Sequence, residues 1–254
     1  MNAALEFRDI SVVAASGRTL LERISLSVEK GAVTAIIGRS GSGKTTLLRT
    51  ANRMIEPASG EVLIEGSIER NVVALRRRMG YVIQETGLFP HLTIERNVGI
   101  VLEAEGRSAA QRSARVRELL QLVGLNPESF ASRHPHQLSG GQRQRVGLAR
   151  ALAAEPKILL MDEPFGALDP LTRAEMQDML RELLGRVSTT VLLVTHDLDE
   201  ALYLANRIVL MSDGKIIVDV PRDEFLNSRH PEIVSYAAAF HRGEARSAGG
   251  AGSA

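Results

Sequence analysis

"AVTAIIGRSGSGKTTLLRT", residues 32–50, decides the fold. Its first seven residues are a continuous apolar, β-branched run, the signature of a strand buried on both faces rather than one. Eight residues that start on the last of these, Gly38 to Thr45, fit the pattern G-x-x-x-x-G-K-[ST]. Residues 45–54 then read as a helix. Strand, glycine-rich loop and helix in that order make a cradle for phosphate. Gly38, Gly41 and Gly43 let the backbone wrap an anion, and the amides from Arg39 through Ser40 and Ser42 join the helix dipole in attracting it. Lys44 is expected to reach the β- and γ-phosphates of a nucleotide and Thr45 to coordinate Mg²⁺, with Thr46 supporting the phosphates nearby.

Outward from this stretch the chain alternates strands and helices. "EFRDISVVAA" and "TLLERISLSV" alternate as half-buried strands do, and "EVLIEG" and "MGYVIQ" read as further strands. Between residues 88 and 154 the texture becomes helical. Thr93–Glu105 and Ser108–Val123 are expected helices, the second capped by Ser108 with Gln111 reaching back and ended by Gly124. Strand character returns in "KILLMDE" (157–163) and "TTVLLVTH" (189–196), with a helix over 171–184 between them. "RIVLMSDGKIIVDV" (207–220) is an expected hairpin turning at Asp213-Gly214. Buried strands alternating with helices imply an α/β fold with a mostly parallel sheet and ligands at its carboxyl ends.

Composition narrows the class. The 254 residues are 44% hydrophobic and 24% charged with net charge +1, and mean hydropathy is −0.02. These are globular values, and the charge balance points to no nucleic-acid partner. The basic runs "LRRRMG" (75–80) and Arg112, Arg115 and Arg117 read as solvated faces. Cysteine is absent, which excludes disulfides and thiol chemistry. The start lacks a signal-peptide pattern, and no apolar run approaches the ~18 residues of a membrane helix. The small, polar stretch 241–254 is expected to be disordered.

Four further features carry candidate chemistry. "ILLMDEP" (158–164) is an apolar strand ending in two acids. Beside a phosphate loop, Asp162 is placed to hold a Mg²⁺ shell and Glu163 to orient or deprotonate an attacking water. His196 ends another apolar strand and is placed to hydrogen-bond a γ-phosphate. Gln84, at the end of "MGYVIQ", is placed to sense Mg²⁺ or water and report to the helical insert. The fourth feature is "LSGGQRQRVGLARAL" (138–152), where Ser139, Gly140, Gly141 and Gln142 open a helix stopped by Pro156. This is a second anion-binding helix start, in the insert, without a carboxylate or histidine of its own.

Together these motifs resemble the nucleotide-binding subunit of an ABC transporter over roughly residues 5 to 235. The matching residues are "GRSGSGKTT" (38–46, Walker A), Gln84 (Q-loop), "LSGGQ" (138–142, signature), "ILLMDE" (158–163, Walker B), "GALD" (166–169, D-loop) and His196 (H-loop). The resemblance implies one ABC ATPase domain over 1–240. It would comprise a RecA-like core (1–87 and 155–222) with an N-terminal antiparallel β subdomain, an α-helical subdomain (88–154) and a C-terminal helix (223–240). It also implies ATP and Mg²⁺ as cofactors and two subunits packed head to tail. Each ATP would lie between one chain's phosphate loop and the partner's LSGGQ, with Asp169 at the interface. The region after Gln84 would dock a membrane permease subunit at the cytoplasmic face of the cell membrane, and a solute-binding protein would act indirectly. "DEPFGALD" and "THDLDEAL" are similar to bacterial importers, and residues 79–98 to the ATPases of osmoprotectant importers for glycine betaine, carnitine or choline. Many of those carry a C-terminal regulatory domain; with about twenty residues after the last helix here, that regulation is expected to be missing or to lie elsewhere. A soluble, non-transport ABC ATPase is disfavoured by the short insert and the single nucleotide-binding unit.

One departure stands out. The family stacks adenine on an aromatic about two dozen residues before the phosphate loop, whereas residues 12–21 read "VVAASGRTLL". Weaker ATP affinity and looser base selectivity are expected, with Val12, Val13 or Ala15 in apolar contact instead.

Overall fold

The computed structural model describes residues 3–84, 86–238 and 240. Two sheets organise them. The smaller is antiparallel, in the order β2-β1-β4, from β1 (Ala3–Val13), β2 (Thr19–Glu29) and β4 (Ser59–Ile64). The larger has six strands in the order β5-β6-β7-β3-β8-β9. These are β3 (Val33–Ile37), β5 (Met79–Val82), β6 (Ile158–Asp162), β7 (Thr190–Val194), β8 (Arg207–Ser212) and β9 (Lys215–Pro221). All pairings are parallel except the β8–β9 hairpin. Its turn residues Asp213 and Gly214 both have positive φ (47° and 75°), as a tight hairpin requires.

The continuous apolar runs have a direct cause. β3, β6 and β7 are buried at every residue, and successive side chains enter different cores. Ile36, Leu160, Leu192 and Val194 pack with Leu5, Phe7, Leu21 and Ile24 of the antiparallel sheet and with Leu47 and Leu48 of α1 (Lys44–Ala51). Ala35, Ile37, Leu159, Met161 and Leu193 face the opposite way, into a core shared with the helices.

Among the described residues, the regular structure between β5 and β6 is all helical. It contains α3 (Ile94–Ala104), α4 (Ala109–Leu122), α5 (Pro127–Phe130), a 3-10 turn (Pro135–Gln137) and α6 (Gly140–Leu152). Ser108 and Gln111 form the reciprocal cap expected for α4, and Gly124 follows with φ 72°. The insert is seated on the sheet through α6. A Cβ on Gly80 of β5 would lie 2.3 Å from the Ala151 main-chain oxygen, so only glycine admits this approach. α7 (Pro170–Arg186) and α8 (Leu198–Leu204) flank the sheet after β6 and β7.

Several expectations are corrected. α1 ends at Ala51, three residues short of the sequence reading, where the chain turns through Arg53 at φ 53°. A short helix, α2 (Val72–Arg77), begins at Asn71, whose side chain accepts from the amides of Val73 and Ala74. It carries the basic run, whose Arg76 and Arg77 are exposed as expected of a solvated face. Arg76 donates to the main-chain oxygens of Asn52 and Arg53, Arg77 to that of Ala104, and Arg78 pairs with Glu65 at 2.6 Å. Arg112 donates to the Arg107 oxygen, while Arg115 and Arg117 pair with Glu118 and Glu128. The single C-terminal helix expected over 223–240 is two, α9 (Arg222–Asn227) and α10 (residues 231–238). Pro231 causes the break: it disfavours helical backbone at His230 and has no N–H to continue the ladder, yet suits a first turn. The disorder expected for 241–254 lies outside the described residues.

Candidate nucleotide site

Parallel pairing brings the carboxyl ends of β3, β5, β6 and β7 to one edge, the edge where open α/β sheets bind ligands. The phosphate loop leaves β3 there. Gly38 adopts φ 147°, and a Cβ on it would lie 2.2 Å from the Met211 main-chain oxygen. Gly43 caps α1 at φ 100° with no side-chain cap, so the first amides of α1 have no side-chain acceptor. A Cβ on Gly43 would lie 2.7 Å from Leu21 Cδ2, whereas at Gly41, φ 81°, no atom lies within 4 Å. Gly38→Ala is therefore expected to destabilise the fold by more than about 2 kcal/mol, through overlap with a main-chain atom. Gly41→Ala should lose only about 1 kcal/mol, the left-handed backbone term. Urea unfolding of both variants measures the difference, and equal losses would overturn it.

Lys44 Nζ donates to the main-chain oxygens of Gly38 (2.8 Å) and Arg39 (3.0 Å), which closes the loop on itself. Burial lowers its pKa, and Glu163 and Asp162 oppose that shift. Thr45 Oγ1 donates to Asp162 Oδ1 at 2.8 Å. The other Asp162 oxygen accepts from the Tyr81 hydroxyl at 3.2 Å and lies 3.6 Å from the Arg49 guanidinium. Burial raises the Tyr81 pKa, which keeps the phenol a donor. Tyr81 and Arg49 were not found from sequence. Tyr81's place three residues before Gln84 is the only signal.

Glu163 follows with φ 45°, a left-handed conformation that costs a non-glycine residue roughly 1–2 kcal/mol. Its amide donates to the Val194 oxygen of β7 at 2.9 Å, which fixes the turn. Its Oε2 accepts from Gln84 Nε2 at 3.2 Å and lies 3.2 Å from His196 Nδ1. Gln84, Glu163 and His196 come from separate strand ends and converge on one oxygen.

Behind His196, Asp197 caps α8 by accepting from the Glu200 amide at 3.0 Å. Arg173 of α7 reaches Asp197 (3.3 Å) and the Leu168 main-chain oxygen (3.3 Å), linking the segment before Asp169 to that after His196. Glu200 is buried among these groups. Desolvation first, then the Asp197 charge, pushes its pKa up to about 8, while the Thr195 hydroxyl and Arg173 oppose the shift. A folded pKa above the ordinary 4.5 means the contribution to stability is complete below about pH 4.5 and lost as pH rises to about 8. Glu200→Gln should remove that loss. The parent's stability relative to the variant should fall by on the order of a few kcal/mol from pH 5 to pH 9, as urea midpoints will show. Parallel profiles would refute the assignment.

The second helix start stands apart. Ser139 Oγ accepts from the Gln142 amide (3.2 Å), and Gln142 Oε1 accepts from the Ser139 amide (3.0 Å). The S-x-x-Q spacing is thus a capping box, a role the sequence reading missed. A Cβ on Gly141 would lie 2.5 Å from Thr172 Cγ2 of α7, whereas on Gly140 it would meet Leu168 Cδ2 at 3.8 Å. Asp169 caps α7 by accepting from the Thr172 amide at 3.1 Å, and the Thr172 side chain first, then this amide, lower its pKa. The signature turn and the D-loop therefore pack together, and none of these contacts reaches the chain's own phosphate loop.

The residues fit a nucleotide and its metal. A cleft of about 300 Å³ is lined by Ser40, Gly41 and Gly43 to Thr46, by Glu163, and by Arg18 and Leu20. Ser42 Oγ is buried without a hydrogen-bond partner, and Thr45 with Asp162 presents two hard oxygen donors. The expected apolar contacts Val12, Val13 and Ala15 do not line this cleft. Arg18 and Leu20 do, because they stand where the β1–β2 turn re-enters the sheet. A separate groove of about 410 Å³ runs between α3 and α4, with Glu95, Arg96 and Arg112 on its walls. No helix among the described residues is long and apolar enough to cross a membrane.

Fold and site define a P-loop α/β protein with a helical insert. The family model described as "ABC transporter" matches residues 21–166, and the chain belongs to that family. A glycine betaine/carnitine/choline transport ATP-binding protein of Bacillus subtilis (strain 168) is 46% identical over 91% of this chain and 61% of its own length. The chain thus spans about three fifths of that relative. A probable sulfate/thiosulfate import ATP-binding protein of Chlorella vulgaris is 47% identical over 78% of this chain and 83% of that one. Among solved structures, a dimeric ATP-binding cassette in a post-hydrolysis state, bound to ADP and Pi, superimposes with TM-score 0.76. It is 33% identical and covers 86% of this chain and 98% of that one.

Proposed function

We propose that this chain is the ATP-hydrolysing subunit of a bacterial ABC importer. The observation that carries the reading is the convergence of Gln84 and His196 on one Glu163 oxygen beside the Thr45–Asp162 pair. Lys44 and the amides from Gly38 to Thr46 bind the phosphates, and Thr45, Asp162 and Gln84 are the residues that would hold Mg²⁺. The metal, when bound, neutralises charge developing on the transferred phosphoryl group. Glu163 accepts a proton from the attacking water, while Gln84 and His196 fix its carboxylate in place. Tyr81 and Arg49 hold Asp162. Arg18 and Leu20 face the base, and ATP and GTP are expected to bind within about fivefold of one another, since no ring stacks on either. Parallel titrations measure this, and strong adenine selectivity would overturn it.

Ser139, Gly140 and Gly141, with Gln142 shaping their turn and Asp169 beside them, serve a second copy of this chain. The two chains close head to tail on two ATPs. The α3–α4 groove and the segment after Gln84 receive the permease at the cytoplasmic face of the membrane, and a solute-binding protein delivers the cargo. The likeness to osmoprotectant ATPases favours a quaternary amine as cargo. The sulfate-type relative, matched over more of its own length, supports an oxyanion as the second reading. Reconstitution with the neighbouring permease and binding protein decides between them. Glycine betaine or choline should stimulate ATP hydrolysis and sulfate should not; the reverse selects the second reading.

A further inference from the structure

The helix α10 belongs to none of the motifs above, yet its tyrosine hydroxyl reaches one of them. Ile233, Tyr236, Ala237 and Phe240 recur at helical spacing and pack on the larger core, which fixes the helix across the end of the sheet. The Tyr236 hydroxyl donates to the main-chain oxygen of His196 at 3.3 Å. One phenol thus bridges α10 to the histidine beside Glu163. Burial raises the Tyr236 pKa, so the hydroxyl keeps its proton. A small cavity of about 140 Å³ lies beside this bridge, bounded by Arg39, Met211 and Ser212 on one side and Glu232 and Ser235 of α10 on the other.

The bridge has a mechanical consequence. β7 ends at Val194, so the sheet ladder no longer holds the peptide of His196. Rotation of that peptide would carry Nδ1 away from Glu163 Oε2, now 3.2 Å distant. We propose that Tyr236 is a positioning residue for hydrolysis, tethering the His196 peptide to the packed helix α10. The proposal rests on the reading of the chain as an ATPase.

Tyr236→Phe keeps the ring packing and deletes the hydroxyl. In the full chain, kcat for ATP should fall about tenfold, the scale of one lost hydrogen bond in the transition state, with KM within about twofold. Without nucleotide, hydrogen exchange at the amides of 196–198 should quicken at least about fivefold. Parental exchange would overturn the proposal whatever the rate, since the tether would not exist. Faster exchange at parental kcat would also overturn it, since the tether would not serve hydrolysis. If the parent chain hydrolysed no ATP, the functional reading would fail and this proposal with it, while exchange would still report on the tether separately.

Discussion

Glu163→Gln is expected to lower ATP turnover by at least about 100-fold, the lower range for loss of a general base. Glutamine has nearly the shape of glutamate, so the turn at φ 45° and the amide bond to Val194 should persist. The change removes the basic oxygen that Gln84 and His196 surround. Phosphate contacts lie elsewhere, at Lys44 and the loop amides, so ATP affinity should stay within about twofold. With binding intact and hydrolysis blocked, the ATP-bound dimer should accumulate, and light scattering after gel filtration will detect it. Turnover at the parental rate would remove Glu163 from the base role.

Gly140→Asp is expected to abolish that dimer without harming the fold. At Gly140 a Cβ meets only Leu168 Cδ2 at 3.8 Å, and an acid in a first helical turn favours the helix dipole. Against an incoming phosphate the same carboxylate is a like charge, repelling by about 1–4 kcal/mol at 4 Å. A two-fold dimer would contain the clash twice. Combined with Glu163→Gln, the substitution should weaken ATP-dependent dimerisation by at least about 30-fold, while ATP affinity of the monomer is unchanged. Dimerisation at the parental concentration would show that this helix start faces no phosphate. Gly141→Asp would not serve as well. Its Cβ lies 2.5 Å from Thr172 Cγ2, so misfolding would confuse the result.

Much of the fold was legible because burial on both faces leaves a mark on composition. β3, β6 and β7 read as apolar runs since each alternate residue enters a different core. The caps of α4 and the β8–β9 turn were legible because a few local residues satisfy them. α2 and the break before α10 were not: α2 is short and anchored by distant carbonyls, and the break depends on one proline within an otherwise helical pattern. That Arg18 and Leu20 line the cleft was not legible, because which turn residues face it depends on how β1 and β2 register.

The sequence by itself determined the kinds of group this protein brings to a nucleotide. Glycines that only an anion-wrapping loop needs, a lysine, a hydroxyl and two strand-end acids are local features, fixed by neighbours a few residues away. Tertiary structure alone decided which of them meet. Gln84, Glu163 and His196 are tens of residues apart in the chain, and they share one oxygen because parallel strands end at one edge. Tyr81, Arg49 and Tyr236 gain their places by packing, and packing is a sum over distant contacts that no local pattern records.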